Sequence, residues 1–534
     1  LLGLLALQAP RLTRRRPPRL LGLTPLLGAY AVTLLWLLYQ KLGITLIGWQ
    51  GLVFPNPLLS LFYVDGIILG LSVYALLCQL HLRAQTRHKS ELLWRGAVLI
   101  LLLATLSWAG IVYFGKRTHG ATASDPFAYA QMGVDLAERG TFLHRYSLFE
   151  DVMPLGIAWA PLQPVGYHIP RNEQGDCPSV WATGASALLA LGYILLGEVG
   201  LYVTTPLVAL LALAATWALV QEALRGEPRA VRYLTGALTV ALLATSPEHV
   251  DRLLVPMADA PAQLFTVLTL LFALRGMRQL QAGRESRWSF LLAGAAFALA
   301  TWVRHTQLVL ALPVILAILL GSRSAQRGVV KPLLLFFGAA FLVALPDIAY
   351  RWHIFGSPLA TETTELHLMR LAHIGPVAWQ MLRDALAAGE WGYLFPLTVY
   401  GGYRLARDRR RQAAVLGCAF AAVLLVHLTY RSLRLRDLIS LFPLVDLAVA
   451  YGAVSLARRV RAIASDRDRS AQLGASLLAV ATIAWIILSL ALARWAMIDN
   501  LWKPGWASFG YMRAGQRASF NRLAELTPPE SIIG

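Results

Sequence analysis

Runs of about 20 apolar residues alternate with short clusters of Lys and Arg along this chain, and that alternation constrains the fold more than any other feature. A helix of about 20 residues is about 30 Å long, which matches the hydrocarbon thickness of a bilayer. Composition points the same way: of 534 residues 57% are apolar and only 14% are charged, against about 25% charged in ordinary soluble domains. Covering several separate soluble cores would need far more Asp, Glu, Lys and Arg than are present. A water-soluble globule is excluded, and disorder, coiled coil and collagen with it. The expected fold is an all-α polytopic membrane protein.

The net charge of +19 and sequence pI near 10.2 would raise the question of nucleic acid in a soluble protein. Here the basic residues sit between apolar runs, as the positive-inside rule requires, and no basic face carries the interleaved aromatics of a strand-binding surface. No nucleic-acid partner is expected. Cys78, Cys177 and Cys418 are scattered and form no CxxC pair, which excludes a disulfide framework and a zinc finger. The chain begins with Leu and stops mid-pattern at Glu530-Ser531-Ile532-Ile533-Gly534. Truncation at both ends is the expectation, and no signal peptide is assigned.

Testing apolar runs against basic loops gives a consistent topology. Arg14, Arg15, Arg16 and Arg19 place the N-terminus inside. Spans are expected near residues 20–40, 59–82 and 96–114, then after a long loop near 200–222, 230–246, 258–275, 288–304, 307–321 and 331–349. Four more follow near 391–405, 412–430, 438–457 and 471–494. The total is about thirteen, with two large outer-face loops, roughly 115–181 and 350–390, bearing short amphipathic helices. Gly192 and Gly197 interrupt the run at 183–197, which reads as re-entrant or interfacial. By organisation, 1–92 is an N-terminal pair of extra helices, 93–350 a core including the first outer loop, and 351–390 the second loop. Residues 391–494 are C-terminal helices, and 495–534 is an outer-face tail that reads as the truncated start of a further segment. No internal repeat or matching pair of broken helices marks an inverted-repeat transporter.

Unusual polar residues collect on the outer side. Ser124-Asp125-Pro126-Phe127-Ala128-Tyr129 opens an amphipathic stretch. Asp125 there is either an N-cap before proline or a carboxylate held at the bilayer edge as base or metal ligand. Ser246-Pro247-Glu248-His249-Val250-Asp251-Arg252 and Pro256-Met257-Ala258-Asp259-Ala260-Pro261 link two spans with more acids than a turn needs. Asp259 is again an N-cap or part of a polar pocket wall. Arg304, in Trp302-Val303-Arg304-His305-Thr306, ends one span with almost no loop before the next. It either snorkels to lipid phosphate or binds a substrate phosphate. Arg431, Arg434 and Arg436 lie outside against the positive-inside rule, with only Asp437 to neutralise them; phosphate binding accounts for them best. Asp65 and Asp446 fall on different spans, where a helix–helix hydrogen bond is the simpler reading. Walker, GxSxG, HExxH and Rossmann signatures are absent, so nucleotide hydrolysis is not expected.

Taken in order, these pieces resemble the integral-membrane glycosyltransferases of the C superfamily, which include protein O-mannosyltransferases and the lipid A aminoarabinose transferase. The resemblance spans most of residues 93–460. Asp125-Pro126-Phe127-Ala128-Tyr129 resembles their acidic first-loop motif, Asp259 stands at the place of their second acid, and Arg304 is similar to their phosphate-binding Lys or Arg. Phe355-Gly356-Ser357-Pro358 matches their phenylalanine-glycine-x-proline turn, and Arg436 with Pro443 their late arginine-tyrosine to proline pattern, with Asp437 in place of tyrosine. A second departure is Gln174-Gly175-Asp176-Cys177-Pro178-Ser179, where relatives read proline-proline-glycine. The resemblance implies inverting transfer of a sugar from a polyprenyl-phosphate carrier to an unknown acceptor, protein, lipid or glycan, outside a bacterial plasma membrane. It implies Asp125 and Asp259 as catalytic and Arg304 and Arg436 on the carrier phosphate, where His305 and Arg431 are also expected. Tyr129, Glu248 and Asp176 are expected as contacts to the acceptor, and a divalent metal is the one cofactor the acids leave open. The alternatives are a lipid or solute transporter, whose polar residues belong near the midplane, and a non-catalytic scaffold of the same fold.

Overall fold

A computed structural model describes residues 87–146, 148–156, 166–322, 327–358, 360, 363, 365–386, 390–464, 481–482, 484–494 and 509–528. The expected spans at 20–40 and 59–82, the first part of that at 471–494, Asp65 and Cys78 lie outside these residues.

Among the described residues six helices are long and apolar enough to cross a membrane: Trp94–Phe114, Glu198–Ala223, Asp259–Gln281, Gly328–Phe355, Arg410–Leu428 and Leu435–Arg459. The chain is an integral membrane protein. The helices are α1 (Arg87–Ala109), α2 (Ser124–Arg139), α3 (Gly184–Leu196), α4 (Glu198–Ala223), α5 (Arg229–Ala244) and α6 (Pro247–Leu253). Then come α7 (Asp259–Gln281), α8 (Arg287–Val303), α9 (Ala311–Gly321), α10 (Arg327–Phe355), α11 (Ile374–Ala385), α12 (Phe395–Asp408), α13 (Arg410–Leu428) and α14 (Phe442–Ala464). Ala484–Arg494 forms α15 and Ala514–Leu526 α16.

α7 is the central post, packed by α4, α8 and α9, and its hydrophobic stretch is 78% buried. On the periphery, α1 and α10 bury little and leave Leu99, Ile100, Leu103, Leu334, Phe341 and Leu342 exposed. Apolar faces of that size are stable only against lipid. Polar side chains on α7 tie the core to its neighbours. Gln263 donates from Nε2 to the Ile439 carbonyl at 2.9 Å, and the Thr266 hydroxyl to Gln307 Oε1 at 3.1 Å.

The expected segment at 183–197 is a 13-residue helix, α3, about 20 Å long. It doubles back through Gly197 (φ 63) onto α4 so closely that a Cβ on Gly200 would lie 1.9 Å from the Gly192 carbonyl oxygen. The two glycines that interrupt the run are therefore what let two helices touch. The spans expected near 230–246, 288–304 and 391–405 form helices of 16, 17 and 14 residues, shorter than a full crossing. Both long loops carry an amphipathic helix, α2 and α11. The second begins later than expected because α10 runs on to Phe355 and ends on Gly356 (φ 71), whose amide donates to the Trp352 carbonyl. The first also holds a short antiparallel ladder, His144 opposite Cys177 and Arg145 opposite Asp176, a small departure from an all-α fold.

Candidate functional site

Helix ends that are distant in sequence meet at one end of the bundle. α2 starts at Ser124 after an extended Ala123, and Pro126 fits the first turn because no amide hydrogen is needed there. Asp125 is not the cap: neither α2 nor α7 has a side-chain cap bond at its N-cap residue, Ala123 or Ala258. Both first-turn acids point at arginines. Asp125 accepts from the Ser124 hydroxyl at 2.8 Å and from Arg436 Nη2 at 3.3 Å. Asp259, only 2% exposed, accepts from Arg304 Nη2 at 2.6 Å, and its second oxygen has no hydrogen-bond partner.

Arg304 follows the last turn of α8 in extended conformation (φ −146). Its Nη1 donates to the Asp437 carbonyl at 3.0 Å, and Nη2 lies 3.6 Å from Asp437 Oδ1. Asp437 sits in a 3₁₀ helix, Leu435–Leu441, where its Oδ2 accepts from the Arg434 amide at 3.0 Å. One acid thus anchors a backbone turn and lies between two arginines. Arg436 also stacks over the Phe509 ring, 5.5 Å from its centre, while its Nε and Nη1 are buried with no hydrogen-bond partner. Burying unsatisfied guanidinium donors is costly, so this side chain is poised for an anion.

These groups wall a cleft of about 530 Å³. Asp125, Tyr129, Arg304, His305 and Arg436 line it, five of the nine residues expected at the site. Burial first, with the neighbouring acids Asp259 and Asp125 adding to it, holds the Tyr129 hydroxyl well above the usual tyrosine range. Asp259 stands behind Arg304 rather than in the wall. Arg431 is exposed, and its amide pairs with the Leu368 carbonyl; Arg434 lines the cleft in its stead. Glu248 also lies off the wall, its amide donating to Glu390 at 2.8 Å. Asp176 is held away by Arg139 and Asn172 at 2.8 and 2.9 Å.

The sequence reading missed His427, Thr306, Glu365, Tyr430 and Phe509, all in the wall. His427 donates from Nδ1 to the Val423 carbonyl at 2.8 Å, which leaves Nε2 to accept from the Thr306 hydroxyl at 3.2 Å. The Tyr430 hydroxyl donates to Glu365 across 65 residues of sequence. A histidine within an apolar run and a tyrosine–glutamate pair that far apart give no local signal. Among the described residues no three of His, Cys, Asp and Glu gather closely enough to hold a metal ion.

Further polar contacts steady the frame. Trp302 donates from its indole to the Thr183 hydroxyl at 2.8 Å, and the first turn of α3 lies against the Trp302–Val303 backbone, with Gly184 at the contact. From the far end of the chain, residues 510–512 pair with 118–122: the His119 amide donates to the Met512 carbonyl and the Thr122 amide to that of Gly510. Gly510 (φ 75) sits on Pro126, and Phe509 packs against both Arg252 and Arg436.

Among solved structures, the Archaeoglobus fulgidus oligosaccharyltransferase in the apo form aligns over 81% of this chain at 12% identity, TM-score 0.49. The chain spans 58% of that protein's length. ArnT from Cupriavidus metallidurans bound to undecaprenyl phosphate aligns over 84% of this chain and 82% of its own, at 15% identity and TM-score 0.46. No curated protein matches the chain in sequence. A family model does match, over residues 184–350, the stretch that carries both Asp259 and Arg304. That family is described as Dolichyl-phosphate-mannose-protein mannosyltransferase, and this segment of the chain is similar to it.

Proposed function

We propose that the chain is a glycosyltransferase that moves a sugar from a polyprenyl-phosphate carrier to an acceptor on the outer face of the membrane. The observation that carries this reading is one cleft wall holding a carboxylate, Asp125, in direct contact with an arginine, Arg436, that has buried donors to spare. A base and an anion site side by side are what displacement of a phosphate leaving group requires. Asp125 takes the proton of the acceptor nucleophile as it attacks the anomeric carbon. The bond from that carbon to the phosphate oxygen breaks on the opposite side, the configuration inverts, and the electron pair leaves with the phosphate. Arg304 and Arg436 bind the charge that develops there. Asp259 and Asp437 hold Arg304 in place beforehand, so no reorganisation is needed at the moment of reaction. Asp259 therefore acts through Arg304, as a positioning residue. The outward orientation is supported by the opposite end of the bundle, where Arg404, Arg407, Arg409, Arg410, Arg411, Arg458 and Arg459 cluster.

The test is transfer or hydrolysis of a panel of radiolabelled polyprenyl-phosphate sugars by the full chain in lipid nanodiscs. Turnover of one donor that is lost in Asp125→Asn is the expected result. Turnover of none, or equal turnover by the variant, overturns the reading.

A further inference from the structure

A second polar cavity, of about 440 Å³, opens at the end of the bundle away from the cleft, lined by Glu227, Arg404, Asp408, Tyr451, Ser455, Arg458 and Arg459. The 19 residues of α13 run from Arg410 at this end to Leu428 beside the cleft, a length of about 28 Å. The cavity is thus separate from the transfer site.

Its shape follows from the sequence. α12 and α14 meet backbone to backbone at Gly401 and Gly452, where added Cβ atoms would lie 1.7 Å from the Ala448 carbonyl oxygen and 2.3 Å from that of Leu397. The cavity lies on the turns that follow, Arg404 and Asp408 on one helix and Ser455, Arg458 and Arg459 on the other. Arg404 is fixed by two bonds to Asp408 Oδ2, at 3.0 and 2.6 Å, and the Tyr451 hydroxyl donates to the same oxygen at 3.0 Å. Glu227 is shared by Arg409 at 2.8 Å and Arg458 at 3.5 Å. Arg409 in turn packs over Gly226 (φ 104), where a Cβ would lie 2.8 Å from its Nη1. Among the described residues three arginines and two carboxylates line the walls, a surplus of one positive charge together with the Ser455 hydroxyl, and Arg409 adds a fourth cation behind Glu227. A solvated basic loop needs neither the cavity nor the buried tyrosine.

We infer that this cavity binds a phosphate ester at the face opposite the transfer cleft, either an anionic phospholipid headgroup or a soluble phosphate. Guanidinium groups held by carboxylate partners present fixed donors to phosphate oxygens, and the surplus charge supplies the attraction.

The experiment uses the full chain, reconstituted with phosphatidylcholine alone or with added phosphatidylglycerol, and co-purified lipid is read by native mass spectrometry. Inorganic phosphate and glycerol 3-phosphate are tested separately by thermal shift in detergent. Arg458→Gln with Arg459→Gln is compared with Arg410→Gln with Arg411→Gln, a pair on exposed positions that removes equal charge outside the cavity. Selective retention of phosphatidylglycerol, reduced about tenfold in the first pair and kept in the second, supports the site and identifies a lipid headgroup. A melting rise with the soluble phosphates that only the first pair abolishes supports it and identifies a free ester. Equal effects of the two pairs, or no preference for any phosphate probe, overturn it.

Discussion

Asp125 and the arginines around it carry the sharpest expectations at the level of single side chains. Asp125→Asn keeps the shape of the first turn of α2 but removes the base, so donor turnover should fall by at least about a hundredfold while the protein stays folded in detergent. If turnover stays within a few-fold, the contact with Arg436 is structural. Arg304→Ala and Arg436→Ala should each cost about ten- to hundredfold in carrier affinity or turnover. Because Asp437 lies within 4 Å of both guanidinium groups, at 3.6 and 3.9 Å, the double variant should depart from additivity. A second side-chain prediction concerns Glu390 and Glu248, which burial pushes up to about 7 each. Between the unfolded value near 4.5 and about 7 the folded state holds the more protons, so stability is greatest at low pH and is lost as pH rises through that window. The melting temperature in detergent should therefore fall between about pH 5 and 8, and Glu390→Gln should flatten the curve. A flat curve in the unaltered protein would show both carboxyls to be ionised throughout. The sequence marked Asp125, Arg304 and Arg436 because charge at an apolar boundary is costly wherever it stands. It could not tell Asp259 from a wall residue, since being buried behind Arg304 depends on a partner 45 positions away.

Helix contacts at the next scale rest on glycines whose role shows only in the packed structure. A Cβ on Gly184 would lie 2.7 Å from the Trp302 carbonyl carbon, one residue pair before Arg304. Gly184→Ala should therefore shift the end of α8 and lower turnover more than it lowers the melting temperature; unchanged turnover would show that the arginine is positioned independently of α3. At the crossing of α12 and α14, Gly401→Ala meets backbone rather than a flexible side chain, and about 1–3 kcal/mol of stability should be lost, read as a lower unfolding midpoint. The element pattern itself was largely legible: α1, α4, α7, α10, α13 and α14 follow apolar runs long enough to read by length alone. Shorter helices such as α12 were harder to read. Its 14 residues include Arg404, Arg407 and Asp408; Arg404 pairs with Asp408 and Arg407 with Tyr403 one turn away, and what no window of sequence shows is the Tyr451 hydroxyl donated to Asp408 from 43 residues on.

Sidedness is the property of the whole molecule on which the proposed chemistry depends. In a cysteine-free background, a cysteine placed at exposed Asn172 should be labelled from one side of the membrane and one at Arg411 from the other. Labelling of both from the same side would remove the case for an outward cleft. The alternation of basic loops conveys which ends belong together, but not how the cleft is closed, because the closing piece comes from far along the chain. Thr118 donates to the Met512 carbonyl and accepts from the Met512 amide across 394 residues, and Phe509 joins Asp125 and Arg436 in the same wall. During synthesis Asp125, Arg304 and Arg436 can all be in the membrane while that wall is still open. A ribosome stalled before residue 509 would display every charged group of the site yet leave Arg436 without the ring that shields it. Under the proposed reading, the cleft becomes competent only once residues 509–512 have docked on 118–126, well after its charged groups have entered the membrane.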